Sequence, residues 1–154
     1  MKTFEEIIQF AIAHEEEEVT FYQDLAARAP NEDQKSALLA HVEEEAEHRK
    51  MLKQMLTSQS LPRGESRHYH APKEMHLEQL YQPKNEVGKP LTYEDSLLLA
   101  VKMEQQSEHL YREMAEHMGS FNKGLAQTLL FLAEQQGKHR SRMEALFDAT
   151  IKEN

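Results

Sequence analysis

The sequence contains no cysteine. Disulfides, thiolate metal sites, iron–sulfur ligation and cysteine nucleophiles are thereby excluded, and a reducing, intracellular compartment fits the lack. No apolar run approaches the roughly 18 residues of a membrane span, so no membrane association is expected. The N-terminal stretch MKTFEEIIQF carries two glutamates where a secretory signal would carry positive charge. The expectation is a soluble, cytoplasmic protein. Positive charge is also scarce: 18 Lys and Arg face 27 Asp and Glu, for a formal net charge of −9. Binding phosphates needs a basic face, so nucleic acid is excluded as the main partner. The acidic balance serves solubility and would suit a protein that takes up cations. There is no Gly-rich phosphate loop and no Ser–His–Asp signature.

Glycine and proline number only five each, and four of the prolines (Pro62, Pro72, Pro83, Pro90) lie between Thr57 and Pro90. The remainder is dominated by Ala, Leu, Glu, Lys, Gln and Met, all strong helix formers. The 154 residues fit one domain. Four helices are expected, over about 4–29, 32–57, 93–118 and 121–151, with a crossover over about 58–91. Thr3 with Glu6, Asn31 with Gln34 and Thr92 with Asp95 are helix-start patterns. Pro30 stops the first helix, and Gly119 occupies a C-cap position. Lys73 to Gln82 is a candidate short helix within the crossover. Short connections make antiparallel hairpins, and two hairpins joined by one long crossover give an all-α, ferritin-like four-helix bundle.

The two halves resemble each other. At an offset of 89, Ala11, Glu15, Tyr22 and Ala26 match Ala100, Glu104, Tyr111 and Ala115. At an offset of 91, Leu38, Leu39, Glu43, His48 and Arg49 match Leu129, Leu130, Glu134, His139 and Arg140. This pattern is an internal duplication of a helical hairpin.

A packed helix buries positions spaced alternately three and four apart. On the first helix that stripe is Ile8, Ala11, Glu15, Glu18, Tyr22 and Leu25; on the second, Leu38, His41, Glu45, His48, Leu52 and Met55. On the third it is Leu97, Ala100, Glu104, Ser107, Tyr111 and Met114; on the fourth, Leu129, Leu132, Gln136, His139, Met143 and Leu146. Each stripe is apolar at its ends and polar in the middle. A lone Glu-x-x-His or an acidic run is ordinarily a solvated face, but four helices turning polar at matching depth is a different matter. Buried, unpaired carboxylates cost several kcal/mol or neutralise, and buried cations remove that cost. Glutamates with imidazoles suit iron, manganese or zinc.

Glutamate seven residues before tyrosine on helices one and three, with Glu-x-x-His on helix two, resembles the rubrerythrin-like branch of the ferritin-like diiron proteins. The strings AIAHEEEEVTFYQDLA and VEEEAEHRKML carry the resemblance, which spans both hairpins. It implies Glu15 and Glu104 as terminal carboxylate ligands, Glu45 as a bridge and His48 and His139 as ligands to one metal each. Tyr22 and Tyr111 would support these from behind as candidate catalytic residues. It further implies two irons per chain and reduction of peroxide or oxygen coupled to Fe²⁺ oxidation. A homodimer is expected by analogy.

Three departures qualify the resemblance. The fourth helix carries Gln136 where the family has a second bridging glutamate. The site then binds one metal, binds two asymmetrically, or recruits another carboxylate. Glu18 and Glu108 lie one turn from ligand positions, whereas Glu134 faces elsewhere. Second, Ser107 stands where rubrerythrins often carry an extra glutamate, and Glu18 holds the equivalent place on helix one. Third, the four-cysteine rubredoxin module is missing, so redox turnover would need an external electron donor. Gln136 favours a second reading, an iron-handling or metal-buffering protein without turnover. A bundle whose site has decayed is the third.

Of the other histidines, His41 lies on the buried stripe, as a core residue or an additional ligand. His14, His109 and His117 lie off the stripes and are expected to be exposed. His68, His70 and His76 cluster with Tyr69 in the crossover, where exposed loop residues or a second metal site are the alternatives. Gly137 interrupts helix four, at a bulge or a close contact.

Overall fold

A computed structural model describes residues 4–57, 91–119 and 122–153. Four helices make up this part of the chain: α1 (Phe4–Ala27), α2 (Glu32–Thr57), α3 (Tyr93–Met118) and α4 (Lys123–Glu153). The caps explain most of the boundaries. Asn31 Oδ1 accepts from the Gln34 amide at 2.9 Å, and Thr92 Oγ1 accepts from the Asp95 amide at 3.0 Å. Each side chain satisfies one of the amides left unpaired at a helix start. Before Pro30, α1 tightens: the Arg28 and Ala29 amides donate to Leu25 and Ala26, so the helix ends two residues earlier than its sequence implies. Asn122 caps α4 by accepting from the Leu125 amide at 3.1 Å, which moves its start to Lys123. Gly119 is right-handed (φ −57°, ψ −30°) and its amide donates to Ala115, so its position at the cap uses none of the freedom peculiar to glycine. Thr3, the proposed helix at 73–82 and the His68, Tyr69, His70 and His76 cluster lie outside the described residues.

Partner numbering gives the topology. Between α1 and α3, Tyr22 meets Glu104 while Glu15 meets Tyr111. Between α2 and α4, Gln34 meets Thr150 while Glu44 meets His139 and Arg142. Both pairs run antiparallel, as do the two hairpins, so the helices alternate up, down, down, up. This is the arrangement of a ferritin-like bundle.

Two apolar clusters fill the ends of the bundle. One holds Ile8, Ala11, Leu52, Tyr111, Met114, Leu129 and Leu132; the other holds Phe21, Tyr22, Leu25, Leu38, Leu97, Ala100 and Met143. Every stripe position read from the sequence is buried except Leu146, which is partly so. The two clusters leave a polar layer between them. Gly137 sits within an unbroken α4, and a Cβ there would meet the Glu108 carboxylate at 3.3–3.4 Å. Close packing, not a bulge, accounts for this glycine.

Candidate metal centre

The layer between the clusters contains Glu15, Glu18, Glu45, Glu104, Gln136, His14, His41, His48 and His139, all buried. Helical spacing puts Glu45 and His48 on one face of α2, with His41 a turn earlier. Glu45 is the centre of the arrangement. Its Oε1 lies 3.2 Å from His41 Nε2 and 2.8 Å from His139 Nδ1, while its Oε2 lies 3.6 Å from His48 Nδ1. Two groups of donor atoms therefore share this one carboxylate: His41, Glu45, Glu104 and His139 form the first, and Glu15, Glu45 and His48 the second. Within each group all donor atoms lie within 4.8 Å of one another.

The tyrosines act crosswise. Tyr22 on α1 donates to Glu104 on α3 at 2.6 Å, and Tyr111 on α3 donates to Glu15 on α1 at 2.5 Å. Burial and the neighbouring carboxylates hold both phenols well above their usual range, so they stay protonated donors. His139 is fixed from behind as well. Its Nε2 meets Glu44 Oε2 at 2.6 Å, and Arg142 donates to the same oxygen at 2.7 Å. A carboxylate on the far nitrogen sets the tautomer and ring orientation of a metal-binding histidine. Although burial raises the Glu44 carboxyl, Arg142 and His139 outweigh it and hold the group below its usual range.

Without a cation, the layer neutralises itself with protons. Burial, then repulsion from neighbouring carboxylates, raises Glu15 and Glu18 well above their ordinary range. Burial also raises Glu45 and Glu104, but contacts with surrounding histidines, and with Glu15 for Glu45, bring both below the usual value. Burial pulls His139 down, yet the Glu104 and Glu45 carboxylates outweigh it and push it up to about 10. His41 is raised for the same reason. Buried carboxylates thus alternate between acid and anion, as expected where like charges crowd.

Whether these residues fit a metal is tested by their unsatisfied atoms. Among the described residues, the buried side-chain polar atoms with no hydrogen-bond partner include Glu15 Oε2, both oxygens of Glu45, Glu104 Oε2, His48 Nδ1 and His139 Nδ1. These are donor atoms of the two groups, and buried polar atoms are normally paired. The 2.8 Å contact between His139 and Glu45 is close but not aligned as a hydrogen bond. Lone pairs converge where a cation would satisfy them, so the residues fit.

Several sequence expectations change. His14, expected to be exposed, is buried; its Nε2 contacts Ser107 Oγ and lies 2.8 Å from Glu18 Oε1. Burial lowers its pKa to about 4, so this is a contact between neutral partners, not an ion pair. Helix α1 is enclosed by neighbours on more than one side, and its buried face is wider than a single stripe. His109 is exposed as expected, whereas His117 is half-buried against the Phe4 ring. Glu108 is drawn outward by Arg112 at 3.0 Å and Arg140 at 3.2 Å and does not reach the layer. Glu18 does reach it: Ser107 donates to Oε1 at 2.7 Å, and Gln136 Nε2 donates to Oε2 at 3.4 Å. Glu44 was hidden in the acidic run beside Glu45, and its signal was only that position.

Comparison with known proteins agrees with this arrangement. The rubrerythrin family profile matches residues 6–86, which take in α1 from Glu6 onward and all of α2. No curated protein and no solved structure matches the chain.

Proposed function

The chain belongs to the rubrerythrin family, and on that premise we propose that it is a non-haem diiron oxidoreductase reducing peroxide or oxygen at the expense of Fe²⁺. The observation that carries this reading is Glu45, whose two oxygens face two separate donor groups. Glu15 and His48 would hold one iron and Glu104 and His139 the other, with Glu45 between them. Glu18, which accepts from Ser107 and Gln136, would supply from beside the ligands the negative charge that Gln136 lacks. Two divalent ions would then meet four carboxylates and leave the interior neutral. Manganese or zinc would satisfy the same donors.

Bound as Fe²⁺, the pair would supply one electron each, so that one peroxide and two protons become two waters. The protein's own part is positional. Tyr22 and Tyr111 keep Glu104 and Glu15 aimed inward, and Glu44 holds the His139 ring. The two apolar clusters exclude water, and the Glu15 and Glu18 carboxyls hold protons within the layer when no cation is present. Turnover would draw electrons from an external donor. Pairing of two copies belongs to the same reading, supported by exposed apolar side chains including Leu98, Leu130 and Phe131.

Gln136 favours a second reading, in which the site holds metal without turnover. Anaerobic loading with Fe²⁺, elemental analysis and stopped-flow mixing with peroxide separate the two. Two irons per chain, oxidised faster than free Fe²⁺, are expected. One iron, or oxidation no faster than in free solution, would favour the holding role.

A further inference from the structure

His41 is not explained by the duplicated pattern. Its counterpart at the offset of 91 is Leu132, an apolar core residue. Where the second hairpin buries a leucine, α2 buries an imidazole. His41 Nε2 lies 3.2 Å from Glu45 Oε1 and 3.2 Å from Glu104 Oε1. Its ring centroid is 4.1 Å from that of His139. On the opposite side of the ring, Nδ1 is buried without a hydrogen-bond partner.

We propose that His41 is a metal ligand, so that His41, His139, Glu45 and Glu104 close one metal position while Glu15, His48 and the far oxygen of Glu45 leave the other open. The inference rests on the metal-centre reading above and adds an inequality between its two halves. The geometry supports it. A cation about 2.0–2.2 Å from each donor places neighbouring donors roughly 3–3.5 Å apart. The contacts among these four residues run from 2.8 Å (His139 to Glu45 Oε1) through 3.2 Å (His41 to Glu45 Oε1 and to Glu104 Oε1) to 3.7 Å (His139 to the other oxygen of Glu104), and one donor atom from each lies within 4.8 Å of the rest. Four protein donors make a closed, holding site, whereas three leave a coordination position free for a small molecule. The first ion therefore enters the His41 position, and the second enters the open one with lower affinity. The open position is the one where an oxidant would bind.

A competing account makes His41 a hydrogen-bond donor to the two carboxylates. Its Nε2 cannot both donate a proton and bind a cation, so the two accounts are exclusive. Co²⁺ titration of the metal-free full chain distinguishes them. Visible absorption follows the coordination, and proton NMR of the one-ion form counts far-shifted imidazole N–H signals. Two uptake steps are expected, the first giving intense four-coordinate bands with two such N–H signals. His41→Leu, which copies the counterpart residue, should lose one N–H signal and the intense bands and merge the two steps. His41→Gln checks that the loss does not come from misfolding; it should behave as His41→Leu while retaining the wild-type circular dichroism. A single N–H signal in the wild type, or bands unchanged in His41→Leu, would overturn the inference and leave the dimetal reading intact. A chain that takes up no Co²⁺ at all would overturn both.

Discussion

The two hairpins carry the same frame and different chemistry. Glu15 and Glu104, Tyr22 and Tyr111, and His48 and His139 are shared at the offsets of the duplication. Elsewhere in the polar layer the halves diverge in one direction. Glu45 corresponds to Gln136, Glu18 to Ser107, His41 to Leu132 and His14 to Met103. In every case the first hairpin has the titratable group and the second a neutral one. The shared residues line the layer from both hairpins and are tied crosswise by the tyrosines. The divergent ones concentrate charge on one side of it. A duplicated site thus need not stay symmetric, provided the buried charge still balances across both halves.

The strongest way to break the comparison is to make the bridging positions alike. Glu45→Gln leaves both neutral and removes the carboxylate common to both donor groups. Elemental analysis after loading should show the second ion lost and affinity for the first lowered by more than ~100-fold, beyond the ~10–100-fold typical of residues that only orient ligands. Gln136→Glu equalises them in the opposite sense. It adds a carboxylate beside Glu18, so the metal-free chain should lose about 2–3 kcal/mol and roughly 5–10 °C in melting temperature. Metal should restore that loss, because a ligand bound only by the native state stabilises it; thermal melts with and without chelator test both parts. Glu44→Gln weakens the support behind His139 and should cost about 10–100-fold in metal affinity, read by competition with a chelating dye.

The smallest effect concerns His14. Burial keeps it neutral in the folded chain down to about pH 4, whereas the unfolded chain takes up the proton below about 6.5. Between these values the unfolded state binds more protons, so stability falls as pH falls. The loss should reach about 2 kcal/mol between about pH 7 and about pH 5. His14→Met, copying Met103, should remove this contribution in urea unfolding of the metal-free chain.

Much of this was legible in the sequence because helix periodicity ties burial to position. The stripes, the Asn31 and Thr92 caps and the glutamate–tyrosine spacing all rest on local geometry, and the structure places them accordingly. What periodicity could not reach were choices made by distant partners. Glu44 is set by His139 and Arg142 on another helix, and Glu108 is turned outward partly by Arg140. His14 is adjacent in sequence to Glu15, and a single stripe admits only one of two neighbours. Burial of both requires α1 to be covered on two flanks, which is tertiary information.

The crossed tyrosines also bear on how the molecule is made. Tyr22 and Glu104 are 82 residues apart in the chain, and Glu15 and Tyr111 are 96 apart. Neither bond forms within a hairpin, and closing such long loops must precede the contacts that reward it. A chain emerging from the ribosome presents most of the layer's titratable groups once α2 is complete, but lacks Glu104, Tyr111 and His139, which close around them. Docking of the second hairpin is therefore the step that encloses these acidic side chains, and a cation held by both hairpins would be captured only at the end of folding.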